Sequence, residues 1–279
     1  MLPKQSKMKL LGSILFTLCT ITVFSQSIVT DRPTQTTGPT SVSSGYFQLE
    51  TGGQFTGYGS SSGILDLPMN LIRIGLGKGF ELRMVNGMSF QRVQNYNIYN
   101  TSKSILTSFT DLQLGFKVQL LNNPDKKTQI GLIIHGSTST GLNKFDQNRK
   151  GASATLAVNH QINEKNSIGY NVGYNFMHYG EKPNISILNH NVMATLVYSH
   201  NITDRLGLFT EIYGSIVDVD NYDEDNLSLN IDAGLTYILK DNLQLDYSFG
   251  FGFQDRMNFH SIGISFYIAP KKKKTPTFD

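Results

Sequence analysis

Asp111-Leu112-Gln113-Leu114-Gly115-Phe116-Lys117-Val118-Gln119-Leu120 decides how this chain folds. Leu112, Leu114, Phe116, Val118 and Leu120 fall on one parity, and Asp111, Gln113, Gly115, Lys117 and Gln119 on the other. A helix would scatter both sets around its circumference, whereas a strand puts successive side chains on opposite faces. The stretch therefore reads as a strand with one greasy face. Leu243, Leu245, Tyr247, Phe249, Phe251 and Phe253, alternating with Gln244, Asp246, Ser248, Gly250, Gly252 and Gln254, repeat the pattern.

Working outward on this rule predicts twelve strands, at about 46–57, 64–76, 80–91, 108–121, 128–140, 151–161, 167–179, 188–200, 205–218, 227–239, 243–254 and 259–269. Alternate connections are built from turn formers: Gly77-Lys78-Gly79, Asn122-Asn123-Pro124-Asp125, Asn163-Glu164-Lys165-Asn166, Asn201-Ile202-Thr203-Asp204 and Lys240-Asp241-Asn242. The intervening connections are mostly longer, and the longest, about 92 to 107, reads as a loop.

The large side chains select the solvent. The apolar parity is almost entirely Leu, Ile, Val, Phe, Tyr and Ala, while the polar parity is too small and too weakly charged for the outer surface of a soluble sandwich. Only 16% of the 279 residues are charged, against roughly 25% in soluble domains, while 11% are aromatic. A wet lumen with the apolar face toward lipid fits better, and closing the sheet leaves no strand edge in hydrocarbon. The expected fold is all-β: a transmembrane antiparallel up-and-down barrel over 46–269, with tight turns at the periplasmic end and longer loops outside.

The chain start agrees. Lys4, Lys7 and Lys9 precede an apolar run from Leu10 to Phe24 and then Ser25-Gln26. This is the layout of a secretory signal, expected to be cleaved over 1–25, the run being too short to span a bilayer. Cys19 lies within that run, so the mature chain has no cysteine and no disulfide. Removing those three lysines leaves 21 basic residues of the 24 against 21 acidic, and leaving out 271–279 gives 17 against 20. A nucleic-acid partner loses its electrostatic footprint.

Thr30-Asp31-Arg32-Pro33 followed by Gly45-Tyr46-Phe47-Gln48-Leu49-Glu50-Thr51-Gly52 resembles the opening of the outer-membrane barrel family named for the MetA pathway of phenol degradation. That resemblance implies a transporter of small molecules, aromatic and hydrophobic ones among them, and no reaction. Ser261 to Ile268 resembles the terminal assembly signal of outer-membrane barrels, so the barrel-assembly machinery and outer-membrane lipids are expected partners. Unlike many such barrels, the chain continues beyond the final aromatic, into a basic tail over 270–279.

The polar parity sends Glu50, Glu81, Asp111, Glu211, Asp232 and Asp246 into the lumen with Arg73, Arg83 and Lys117. Such a lining favours cations or neutral polar solutes; the alternative is that these groups pair across strands and brace the barrel. The polar segment 26–45, with Asp31, Arg32 and Pro33, reads either as a partial plug, Arg32 meeting lumen carboxylates, or as a disordered leader. The acidic loop Asp218 to Asp225 lacks the glycine and closing glutamate of a calcium loop, so no metal is expected. His160, His178, His200 and His260 sit on or near the lipid parity, with no signature fixing a nucleophilic trio, so neither catalysis nor a cofactor is expected. The expected function is passive uptake of a small-molecule solute; the alternatives are a closed structural or surface-interaction barrel and a lipid-active enzyme.

Overall fold

A computed structural model describes residues 28–59, 62–97, 100–123, 125–139, 149–182, 185–219, 226–254 and 256–270. The expected signal over 1–25, most of the acidic loop and all of the basic tail but Pro270 lie outside them.

Thirteen antiparallel strands follow in chain order: β1 (Phe47–Tyr58), β2 (Ser62–Gly77), β3 (Phe80–Asn97), β4 (Asn100–Phe109), β5 (Leu112–Asn123), β6 (Thr128–Thr138), β7 (Lys150–Gln161), β8 (Asn166–Lys182), β9 (Ile185–Asn201), β10 (Leu206–Val219), β11 (Asn226–Lys240), β12 (Leu243–Gly252) and β13 (Met257–Ile268). Successive strands pair, β3 taking both β4 and β5, and β1 pairs with both β2 and β13, so the sheet closes. Closure satisfies the backbone groups that an open edge would leave bare.

The extra strand comes from the stretch expected to be a loop. β4 and β5 both pair with β3, Met88 opposite Phe109 and Val85 opposite Gln113. They are two lengths of one path, interrupted at Thr110-Asp111, where the register slips by one residue. The ring thus has twelve positions, and the expected loop 92–107 is instead the far end of the β3–β4 ribbon. Its polar sequence, Gln94-Asn95-Tyr96-Asn97 and Asn100-Thr101-Ser102-Lys103, lacks the apolar alternation by which the other strands are recognised.

β2 carries a second irregularity. Gln54 faces Asp66 and Gly52 faces Met69, so Leu67-Pro68 stand opposite the single residue Gly53. β3 shows the same two-against-one count, Ser89 facing Asp66 and Gly87 facing Met69. This is a β-bulge, and it flips which parity of β2 points inward beyond it. The β2–β3 turn needs left-handed backbone at three consecutive residues, Gly77 (φ 93°), Lys78 (φ 53°) and Gly79 (φ 80°), which explains a glycine on either side.

The polarity is inverted relative to a water-soluble domain. Leu76, Val172, Leu196, Ile216, Phe251 and Ile262 are exposed, while Glu50, Arg73, Glu81 and Lys117 are fully buried. The apolar parity faces outward and the charged parity inward. Among the described residues no helix is long and apolar enough to cross a membrane.

Candidate functional site: the lumen and its N-terminal segment

The lumen is organised by residues 28–45, which run across it before β1 begins. Ile28 N–H donates to Asp241 O in the β11–β12 turn at 3.0 Å, and Gly45 N–H returns to Gly75 O of β2 at 2.8 Å. Between these ends the segment docks at three places.

The first is an ionic cluster on β1, β2, β3 and β5. Arg73 grips Glu81 with Nε and Nη2 at 2.8 and 2.9 Å, and its Nη1 reaches Glu50 Oε1 at 2.8 Å. Arg83 Nη1 reaches Glu81 at 2.8 Å and Asp31 Oδ2 at 2.7 Å, while Lys117 Nζ lies 3.1 Å from both Asp31 oxygens. Arg73 stands directly opposite Arg83 in the register, and like charges so placed repel. Within this cluster the wall supplies Arg73, Arg83 and Lys117 against only Glu50 and Glu81, so it is one negative charge short. Asp31, from the segment, is the missing acid.

Burial alone would raise the Asp31 carboxyl, but the surrounding Arg73, Lys117 and Arg83 outweigh it and hold that group well below the usual carboxylate range. Glu50 in turn accepts the Asp31 and Arg32 backbone N–H groups at 2.9 Å each.

The second dock is the neighbouring residue. Arg32 Nη2 reaches Asp246 Oδ1 of β12 at 3.1 Å and Ser261 Oγ of β13 at 3.0 Å. Gly52 and Gly263 are direct partners across β1 and β13, and a Cβ on Gly263 would overlap the Arg32 guanidinium. The glycine pair makes room for that side chain. Pro39 lies similarly over Gly131, and Val42-Ser43 over Gly75.

The third dock lies on β10. Glu211 accepts Gln35 N–H at 2.7 Å, Thr36 N–H at 2.6 Å and the Thr36 hydroxyl. Asp232, directly opposite Glu211 on β11, is buried and accepts no side-chain hydrogen bond among the described residues. Of the expected lining residues, Glu50, Arg73, Glu81, Arg83 and Lys117 therefore gather in one cluster around Asp31 of the N-terminal segment, Asp246 pairs beside it with Arg32 of the same segment, and Glu211 and Asp232 stand apart. Asp111 lies away from the cluster, paired with Arg149 Nη2 at 2.9 Å.

Above the segment lies a cavity of about 650 Å³, lined below by Asp31 to Gln35 and laterally by β1 to β5, Arg149 and Ser261. Periodicity alone missed several participants. Gln48, which donates to Val29 O and Glu50, stands on the inward parity and was accessible to it; Asp66 was not, because the β2 bulge reverses its parity. His160, His200 and His260 contact Tyr170, Asn166 and Tyr247.

A family model described as "Putative MetA-pathway of phenol degradation" matches residues 30–267. An outer membrane channel from Pseudomonas putida F1 superposes with a TM-score of 0.62 at 13% identity, covering 82% of this chain and 98% of that one. The NanC porin gives a TM-score of 0.54 at 9% identity over 78% of this chain and 98% of its own. At such identities these structures share the fold with the chain. No curated protein matches the sequence.

Proposed function

This chain belongs to the family "Putative MetA-pathway of phenol degradation", and from that premise we propose that it is an outer-membrane channel whose N-terminal segment gates the uptake of small molecules, aromatic and hydrophobic ones among them. The observation that carries the reading is the docking of Asp31-Arg32, each charge on its opposite in the wall, beneath a lumen cavity. A segment held by complementary charges across a lumen is a stopper built into the chain, and the cavity above it is where a solute would wait. The family name supports the choice of solute, and the shared fold with outer-membrane channels supports the location.

Removing the segment separates this reading from a closed structural barrel, which the pairing of the lumen charges favours. The mature chain and a variant lacking residues 27–44 are each inserted into planar bilayers. The expected outcome is small, infrequent conductance for the whole chain and larger, discrete steps for the variant. Unchanged conductance would remove the gating role, and silence from both would favour the structural barrel.

A further inference from the structure

The β2 bulge places one carboxylate where the period of two would not. On the near side of the bulge the inward positions of β2 are Met69, Leu71 and Arg73. On the far side Asp66 takes the inward position, opposite Gln54 of β1 and Ser89 of β3. Asp66, Met69 and Leu71 therefore line the same cavity, with Val85, the cross-strand partner of Leu71.

The charges around this cavity are almost all spent. Asp31, Glu50 and Arg83 belong to the ionic cluster, Arg32 is held by Asp246, and Asp111 by Arg149. Asp66 is half-buried, and its carboxylate makes no hydrogen bond or ion pair among the described residues. A lone carboxylate on the wall of a lumen cavity attracts a cation more strongly than one on an open surface, because the surrounding protein focuses its field. The apolar side chains beside it offer surface that a hydrated metal ion could not use but an organic body could. The volume, about 650 Å³, lies within the range of small-molecule pockets.

We propose that this cavity is a binding site for a small organic cation, an amine carrying an aromatic or aliphatic body, with its nitrogen at Asp66 and its body against Met69, Leu71 and Val85. The proposal names the solute class of the channel reading and rests on it for the solute's arrival, but binding is measurable without transport.

The test compares benzylamine with benzyl alcohol, which shares its ring and lacks its charge, by saturation-transfer NMR titration of the refolded mature chain in nanodiscs at neutral pH. Benzylamine is expected to bind about tenfold more tightly. That preference should vanish in Asp66→Asn and persist in Asp66→Glu, heat-modifiable mobility verifying that each variant is folded. Equal binding of the two probes by the unaltered chain would overturn the proposal without any variant, as would a preference that survives Asp66→Asn. A barrel that prefers the amine and never conducts refutes the channel alone; one that conducts without preference refutes the amine site alone.

Discussion

Asp31 shows how one side chain can hold a segment in a lumen. It supplies the acid that the wall lacks, and it faces Arg73, Arg83 and Lys117 in a buried setting. Its carboxyl is held below the ordinary range, so its stabilising contribution is complete above the unfolded value, about 4, and is lost only as pH falls through the lower folded value. Hydrogen-exchange protection of the Asp31 amide, corrected for intrinsic rates, should thus be equal at pH 7 and pH 5. Asp31→Asn leaves Lys117 and Arg83 short of an anion, a loss on the order of 3–5 kcal/mol, and should abolish that protection at both values. A fall in protection of the unaltered chain between pH 7 and pH 5 would contradict the account. The inward placement of Glu50, Arg73 and Glu81 was legible from parity, but the partnership of Arg32 with Asp246, 214 residues away, was not.

At the scale of elements, the strands keep their period over most of the ring and depart from it at the β2 bulge and at the Thr110-Asp111 break between β4 and β5. The projecting ends of β3 and β4 pair with each other, and β2 accompanies β3 only as far as Arg92, opposite Gly63. Beyond that point the ribbon is two-stranded among the described residues, an arrangement of marginal stability by itself. Replacing residues 93–104 with Asn-Gly would join Arg92 to Ile105, partners in the existing register, through a favoured hairpin turn. The barrel should then fold with its urea midpoint almost unchanged, a difference within about 0.5 kcal/mol. Failure to fold would show that the ribbon is needed to start pairing. The β2 bulge teaches the complementary lesson: one extra residue reversed the facing of Asp66 and hid it from a reading based on strict alternation.

The whole molecule is polar inside and greasy outside, and that inversion makes a claim about its solvent. Val172 is exposed midway along β8, and an arginine there would face either water or hydrocarbon. Val172→Arg should cost about 2–4 kcal/mol in equilibrium unfolding from lipid vesicles if the outer face meets the bilayer core. A cost within about 0.5 kcal/mol, as on an ordinary wet surface, would refute the membrane reading. The inversion also explains why ionic pairs replace an apolar core. Charges withdrawn from water are costly unless partnered, and at the first two docks the N-terminal segment brings to the wall the charge opposite to its own.

Sequence by itself determined that this chain is a closed sheet of about twelve strands, and which face of its regular stretches is greasy. These follow from the period of two, a local property of extended backbone that neighbouring residues display without reference to the rest of the fold. Only the tertiary structure decided that β3 and β4 extend through an expected loop, that a bulge turns Asp66 inward, and that Asp31 and Arg32 cross the lumen to their partners. Those outcomes depend on ring closure and on charges brought together from distant strands, and no local pattern records which acid will meet which base.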